Sequence, residues 1–170
     1  FKWGGALGTA PSLTYSFVNQ GTFYADDKYR NDFSEIDSLA EIEAFVNFNN
    51  SDSSHYMVEF SQGEKQFIRD TLENYSNSSG IQFTEVNDNN YDQYGDLRFF
   101  LQDFPVWQNA DPDLYSYGGF AYGPWGDSNN DSWVAGGDIF LRSDYELFDG
   151  FAEHTIVHEI GHALGLSHPF

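Results

Sequence analysis

The segment His158–His168 limits what this chain can fold into more than any other. There three histidines, a glutamate and a glycine fall in the pattern H-E-x-x-H-x-x-G-x-x-H. Side chains four apart on a helix share one face, about 6 Å apart along the axis. His158 and His162 so placed can hold one tetrahedral Zn²⁺. Glu159 lies about 100° round the helix, close enough to reach a water on the ion without ligating it. Gly165 stands where the helix must stop, because a residue without Cβ takes the left-handed conformation cheaply. The chain can then turn back and bring His168 up as a third ligand, leaving one position open, which is the layout of a catalytic zinc site. The pair His154 and His158 is also four apart, but Thr155 stands where the acid is needed. His154 and His162 would be about 12 Å apart, too far to share an ion. His154 is expected to support the site or lie on the surface.

The motif, read as His158-Glu159-Ile160-Gly161-His162-Ala163-Leu164-Gly165-Leu166-Ser167-His168-Pro169, resembles the metzincin zinc endopeptidases, and within them the serralysins. Looser likeness extends to Trp3-Gly4, to Leu13–Phe17, to Phe60–Val86 and to Gly137–Leu141. The resemblance implies an α+β, zincin-type catalytic domain covering residues 1–170, its twisted mixed sheet of about five strands backed by two main helices. It also implies a secreted enzyme that hydrolyses peptide bonds in protein or peptide substrates. Glu159 would act as general base and His158, His162 and His168 as zinc ligands. In that family a Met-containing turn and a tyrosine lie downstream of the third histidine. This sequence ends two residues after His168 and lacks the glycine-rich calcium repeats of serralysins, so the domain is expected to be incomplete at its C-terminus.

Composition sets outer bounds. With 27 acidic against 7 basic residues, the net charge of −20 repels phosphate backbones, which argues against nucleic acid as a partner. Nineteen per cent aromatic residues argue for a packed core despite the charge. No apolar run approaches the roughly 18 residues of a membrane span, and a monomer is expected. No basic-then-apolar leader opens the sequence, so an export signal is expected elsewhere or already removed. The absence of cysteine excludes disulfides, thiolate zinc sites and a cysteine nucleophile.

Along the chain, alternation or apolar runs predict strands at Leu13–Val18, Ile81–Val86, Asp96–Gln102, Gly118–Tyr122 and Gly137–Arg142. Ser61-Gln62-Gly63-Glu64 is a capping-box signature. It opens a helix with an apolar stripe of Phe67, Ile68, Leu72 and Tyr75, expected to reach about Ser76 and to be core. A second helix is predicted over Phe148–Leu164. A short amphipathic helix around Ile36–Phe45 carries no assigned function.

Two further sites are weaker. By position, the resemblance places the substrate-binding edge strand at Gly118, Gly119, Phe120, Ala121 and Tyr122, where paired glycines admit a second backbone. The alternative is an ordinary loop. Asp127, Asn129, Asp131 and Asp138 have the spacing of a calcium loop, although Ser132 replaces the usual glycine and Asp138 the usual glutamate. Asp88, Asn90 and Asp92 are a shorter echo, and solvated acidic turns are the alternative for both. Against the protease reading stand a non-catalytic, metal-stabilised module and a zinc hydrolase of non-peptide substrates. Glu159 favours catalysis, since a purely structural site has no need of an acid there.

Overall fold

The computed structural model describes residues 3, 10–18, 58–88, 94–102, 118–124, 136–144 and 150–168. In chain order the elements are β1 (Ser12–Phe17), α1 (Gln62–Ser79), β2 (Gln82–Glu85), β3 (Leu97–Gln102), β4 (Gly119–Ala121), β5 (Asp138–Arg142) and α2 (Gly150–Ala163). The strands form one sheet in the order β2-β1-β3-β5-β4. The first four are mutually parallel, and β4 closes one edge antiparallel to β5. This is the mixed α+β sheet with two helices expected from the sequence. The predicted helix near Ile36–Phe45 lies outside the described residues.

Parallel strands at the centre of a sheet are covered on both faces and read as continuous apolar runs. Leu97–Leu101 of β3 and all of β5 are buried accordingly. On one face, Tyr15, Phe17, Leu97, Phe99, Leu101, Ile139 and Leu141 pack against Ile68 and Leu72 of α1 and Ile156, Ile160 and Ala163 of α2. Fully burying one such aliphatic side chain contributes roughly 1.5–3 kcal/mol. The stripe on α1 is therefore core, as expected. On the other face Phe100, Phe140 and Phe120 stack in a row across three strands, with ring centroids 4.5 Å apart at each step. Tyr122 meets Phe120 and Phe140 edge-on.

The capping box forms as read: the Ser61 hydroxyl accepts from the Glu64 amide, and the Glu64 carboxylate accepts from the Ser61 amide. The helix runs to Ser79, three residues beyond its expected end near Ser76. Ser78 and Ser79 do not break it, because their hydroxyls donate back to the carbonyls of Asn74 and Tyr75 one turn earlier. It closes on Gly80, whose amide donates to the Ser76 carbonyl at 2.8 Å.

Candidate metal centre

Helix α2 supplies His158 and His162 from one face, and the turn after it supplies His168. Gly165 adopts φ 101°, the left-handed conformation anticipated for it. Its amide donates to the His162 carbonyl and the Leu166 amide donates to the Gly161 carbonyl, both at 2.9 Å. That pair of bonds is a Schellman turn, and it reverses the chain so that His168 returns to the helix. The Nε2 atoms of His158, His162 and His168 form a triangle with sides of 2.9, 3.0 and 3.0 Å.

Hydrogen bonding alone does not account for that triangle. The Leu166 carbonyl lies 2.7 Å from His162 Nδ1, which places the proton of neutral His162 on Nδ1 and leaves Nε2 a bare lone pair. A neutral imidazole has one N–H, so at most two N–H groups remain for three contacts, and those two would face each other. A cation resolves the conflict. Each nitrogen lies about 1.7 Å from the centre of such a triangle, so a point about 1.1 Å off its plane is about 2.0–2.1 Å from all three, the zinc–imidazole distance. The residues fit a divalent zinc ion. Burial, then the neighbouring His162 and His168, hold the His158 imidazole below its usual range, which favours the neutral, ligating form.

Glu159, next to the first of the three histidines on the helix, is 6% exposed. Burial pushes its carboxyl up to about 7, with His162 pulling weakly in the opposite direction. It lies against β4: a Cβ on Gly119 would stand 3.1 Å from Glu159 Cγ, 3.0 Å from the Thr155 methyl and 2.9 Å from the Phe140 carbonyl. Only a residue without a side chain lets the strand approach the metal helix this closely.

The stretch Gly118–Tyr122 is an edge strand, not a loop. The Arg142 amide donates to the Gly118 carbonyl and the Tyr122 amide to the Asp138 carbonyl, so residues 118 and 122 turn their peptide groups toward β5. By the alternation of an antiparallel ladder, Gly119 and Ala121 turn theirs to the open edge. The side chains of Phe120 and Tyr122 lie on the aromatic face, opposite the helices.

Two anchors of α2 come from residues that the sequence reading placed only in the core stripe and in the family likeness. Tyr75 Oη of α1 donates to the Val157 carbonyl at 2.8 Å, immediately before the first histidine. Trp3 Nε1 donates to the Ala163 carbonyl at 2.8 Å. Trp3 belongs to the opening segment that carries the family likeness, which was the one available signal. His154 is exposed, as expected.

The calcium expectation needs correcting at Asp88. Both of its oxygens are taken by Arg98, Oδ2 at 2.8 Å from Nε and Oδ1 at 3.0 Å from Nη2, in a pair fully shielded from solvent. Oδ2 also accepts from the Ser16 hydroxyl. A carboxylate so engaged serves the fold. Asp138 is buried at the head of β5, while Asp127, Asn129 and Asp131, with Asn90 and Asp92, lie outside the described residues.

A sheet with an antiparallel edge strand laid against an H-E-x-x-H helix, with a third histidine brought in by a glycine turn, defines a metallopeptidase of the metzincin type. Residues 24–169 match the family described as Metallo-peptidase family M12B Reprolysin-like, and the chain belongs to it. Among curated proteins it is similar to Serralysin B of Dickeya chrysanthemi, 26% identical over 172 residues covering 98% of this chain. The chain spans 28% of that protein's length. The likeness to metzincins drawn from the motif is thus borne out. Among the described residues no helix is long and apolar enough to cross a membrane.

Proposed function

We propose that this chain carries the zinc-binding part of an endopeptidase that hydrolyses peptide bonds in protein or peptide substrates outside the cell. The observation carrying the reading is the triangle of three imidazole nitrogens, 2.9–3.0 Å on a side, with a buried carboxyl on the next residue of the same helix. His158, His162 and His168 would hold zinc, which when bound supplies Lewis-acid activation of water and of the scissile carbonyl.

Glu159 moves the proton. From the helix that carries two of the ligands, its carboxylate takes a proton from the attacking water and returns it to the leaving amine. The His162 Nδ1–H, held by the Leu166 carbonyl, fixes the ring orientation and keeps Nε2 available. At the edge strand, the peptide groups of Gly119 and Ala121 are placed to pair with an extended substrate as an added strand. Gly119 lies against the Glu159 side chain, so a substrate on that edge passes close to the proton carrier. The buried acid beside the first histidine, which a purely structural metal does not need, and the family match both support catalysis. Export rests on the resemblance to serralysins.

The test is casein hydrolysis with and without a metal chelator. Chelation abolishes turnover and added zinc restores it. Hydrolysis that survives complete zinc removal contradicts the reading, and zinc bound without any hydrolysis supports the metal-stabilised module instead.

A further inference from the structure

The carbonyls that end helix α2 are all satisfied, and the last of them by a residue from the other end of the sequence. Helix ends leave such groups without intrahelical donors. Here the Ile160 carbonyl accepts from the Leu164 amide, Gly161 from Leu166 and His162 from Gly165, each at 2.9 Å. Ala163, the final helical residue, accepts instead from the Trp3 indole at 2.8 Å. The turn that starts at this carbonyl does two things for the centre. It presents His168, and through the Leu166 carbonyl it fixes the His162 ring.

Trp3 is itself held from behind. Gly137, at the turn into β5, has φ 92°, and a Cβ there would stand 2.2 Å from the Asp96 carbonyl oxygen and 2.9 Å from Trp3 Cζ2. The indole therefore fills a slot between a turn that only glycine can make and the end of the metal helix. It packs against the core cluster shared by sheet and helices.

We infer that Trp3 is a positioning residue for the metal centre: its indole N–H holds the last carbonyl of α2 and so sets the turn that carries His168 to the two helical imidazoles. The inference rests on the proposal that the three histidines bind a metal, and goes beyond it by coupling the opening segment to metal affinity. Linkage makes the coupling reciprocal: docking of Trp3 strengthens metal binding by the same factor by which the metal strengthens docking.

The experiment uses the 170-residue chain, Zn²⁺ and the spectroscopic probe Co²⁺. Trp3→Phe keeps an aromatic ring and removes the donor. Its zinc affinity is expected to fall roughly 3- to 10-fold, the range for one hydrogen bond, and its cobalt absorption bands to change shape as the third ligand loosens. In the unaltered chain, zinc should slow solvent exchange of the Trp3 indole proton, assigned by sequential connectivities in the NMR spectrum. A merely structural tryptophan would lower the melting temperature of the metal-free variant and leave the cobalt spectrum as it was. Wild-type zinc affinity and cobalt spectrum in Trp3→Phe overturn the inference while leaving the metal site standing. Should the variant fail to fold, the exchange measurement decides alone, and indole exchange indifferent to zinc overturns the inference. Failure of the unaltered chain to bind either ion removes the metal reading and this inference together.

Discussion

Helices α1 and α2 pack side by side on the same sheet, yet they use their polar residues in opposite ways. On α1, polar groups are satisfied close by. Ser61 and Glu64 cap each other, Gln66 donates to Asp70, and the hydroxyls of Thr71, Ser78 and Ser79 return to carbonyls one turn back. Two residues reach out of the helix, Arg69 to Glu85 on the neighbouring strand and Tyr75 to the Val157 carbonyl of α2. On α2, two imidazoles and a third from the following turn converge on one point, and the carboxyl of Glu159 is buried on the same helix. A helix that closes its own hydrogen bonds adds stability. One that leaves lone pairs facing each other holds an arrangement that is costly until a cation occupies it.

Substitutions should separate the two helices cleanly. Glu159→Gln has the largest expected effect: turnover falls by about 10²–10⁴ while zinc stays bound, read by hydrolysis of a peptide substrate alongside metal content. Unchanged turnover removes Glu159 from the mechanism. Leu72→Ala, in the core stripe of α1, should cost roughly 2–5 kcal/mol in urea unfolding and leave zinc affinity of the folded chain unchanged. A large loss of affinity there would mean that the two helices do not divide stability and chemistry as described. Ser61→Ala should cost about 1 kcal/mol through its lost cap.

The most discriminating effect is one of sign, between Glu159 on α2 and Glu85, the strand residue held by Arg69 of α1. Glu159 has its carboxyl pushed up to about 7, so in the metal-free chain the folded form binds more protons than the unfolded form between about 4.5 and 7. That contribution to stability is present at low pH and is lost as pH rises through that window. Glu85 runs the other way. Arg69 and Tyr15 hold its carboxyl below the usual range against an opposing effect of burial, so its contribution is present above the ordinary carboxylate pKa and is lost as pH falls through the lowered value. The pair is partly exposed, so its effect is modest. Unfolding free energies against pH for Glu159→Gln and Glu85→Gln should therefore flatten opposite limbs of the profile. Flattening of the same limb by both would contradict the contrast.

Most of what could be read from sequence was local. The five fixed positions of the zinc motif, the capping box at Ser61, the glycine stop at Gly165 and the strand periods each depend on residues a few positions apart. The exceptions were settled by contacts between distant residues. The strand order β2-β1-β3-β5-β4 depends on which parallel strands pair, which local alternation does not encode. Asp88 looked like a calcium ligand by spacing, until Arg98 in the next strand took both its oxygens. Gly119 reads as a glycine that admits a substrate backbone, yet it also lets β4 close on the Phe140 carbonyl and the Thr155 and Glu159 side chains. Trp3 gave no hint of a partner 160 residues away. The end of α1 was misjudged for a local reason, since serines that favour turns can also bond back into a helix.

Zinc-edge X-ray absorption on the zinc-loaded chain tests the central claim most directly. The account predicts one ion with nitrogen and oxygen neighbours only, three of them imidazoles at about 2.0–2.1 Å, and loss of one imidazole in each of His158→Ala, His162→Ala and His168→Ala. A spectrum with fewer than three imidazoles in the unaltered chain, or one that none of the three substitutions changes, would contradict it.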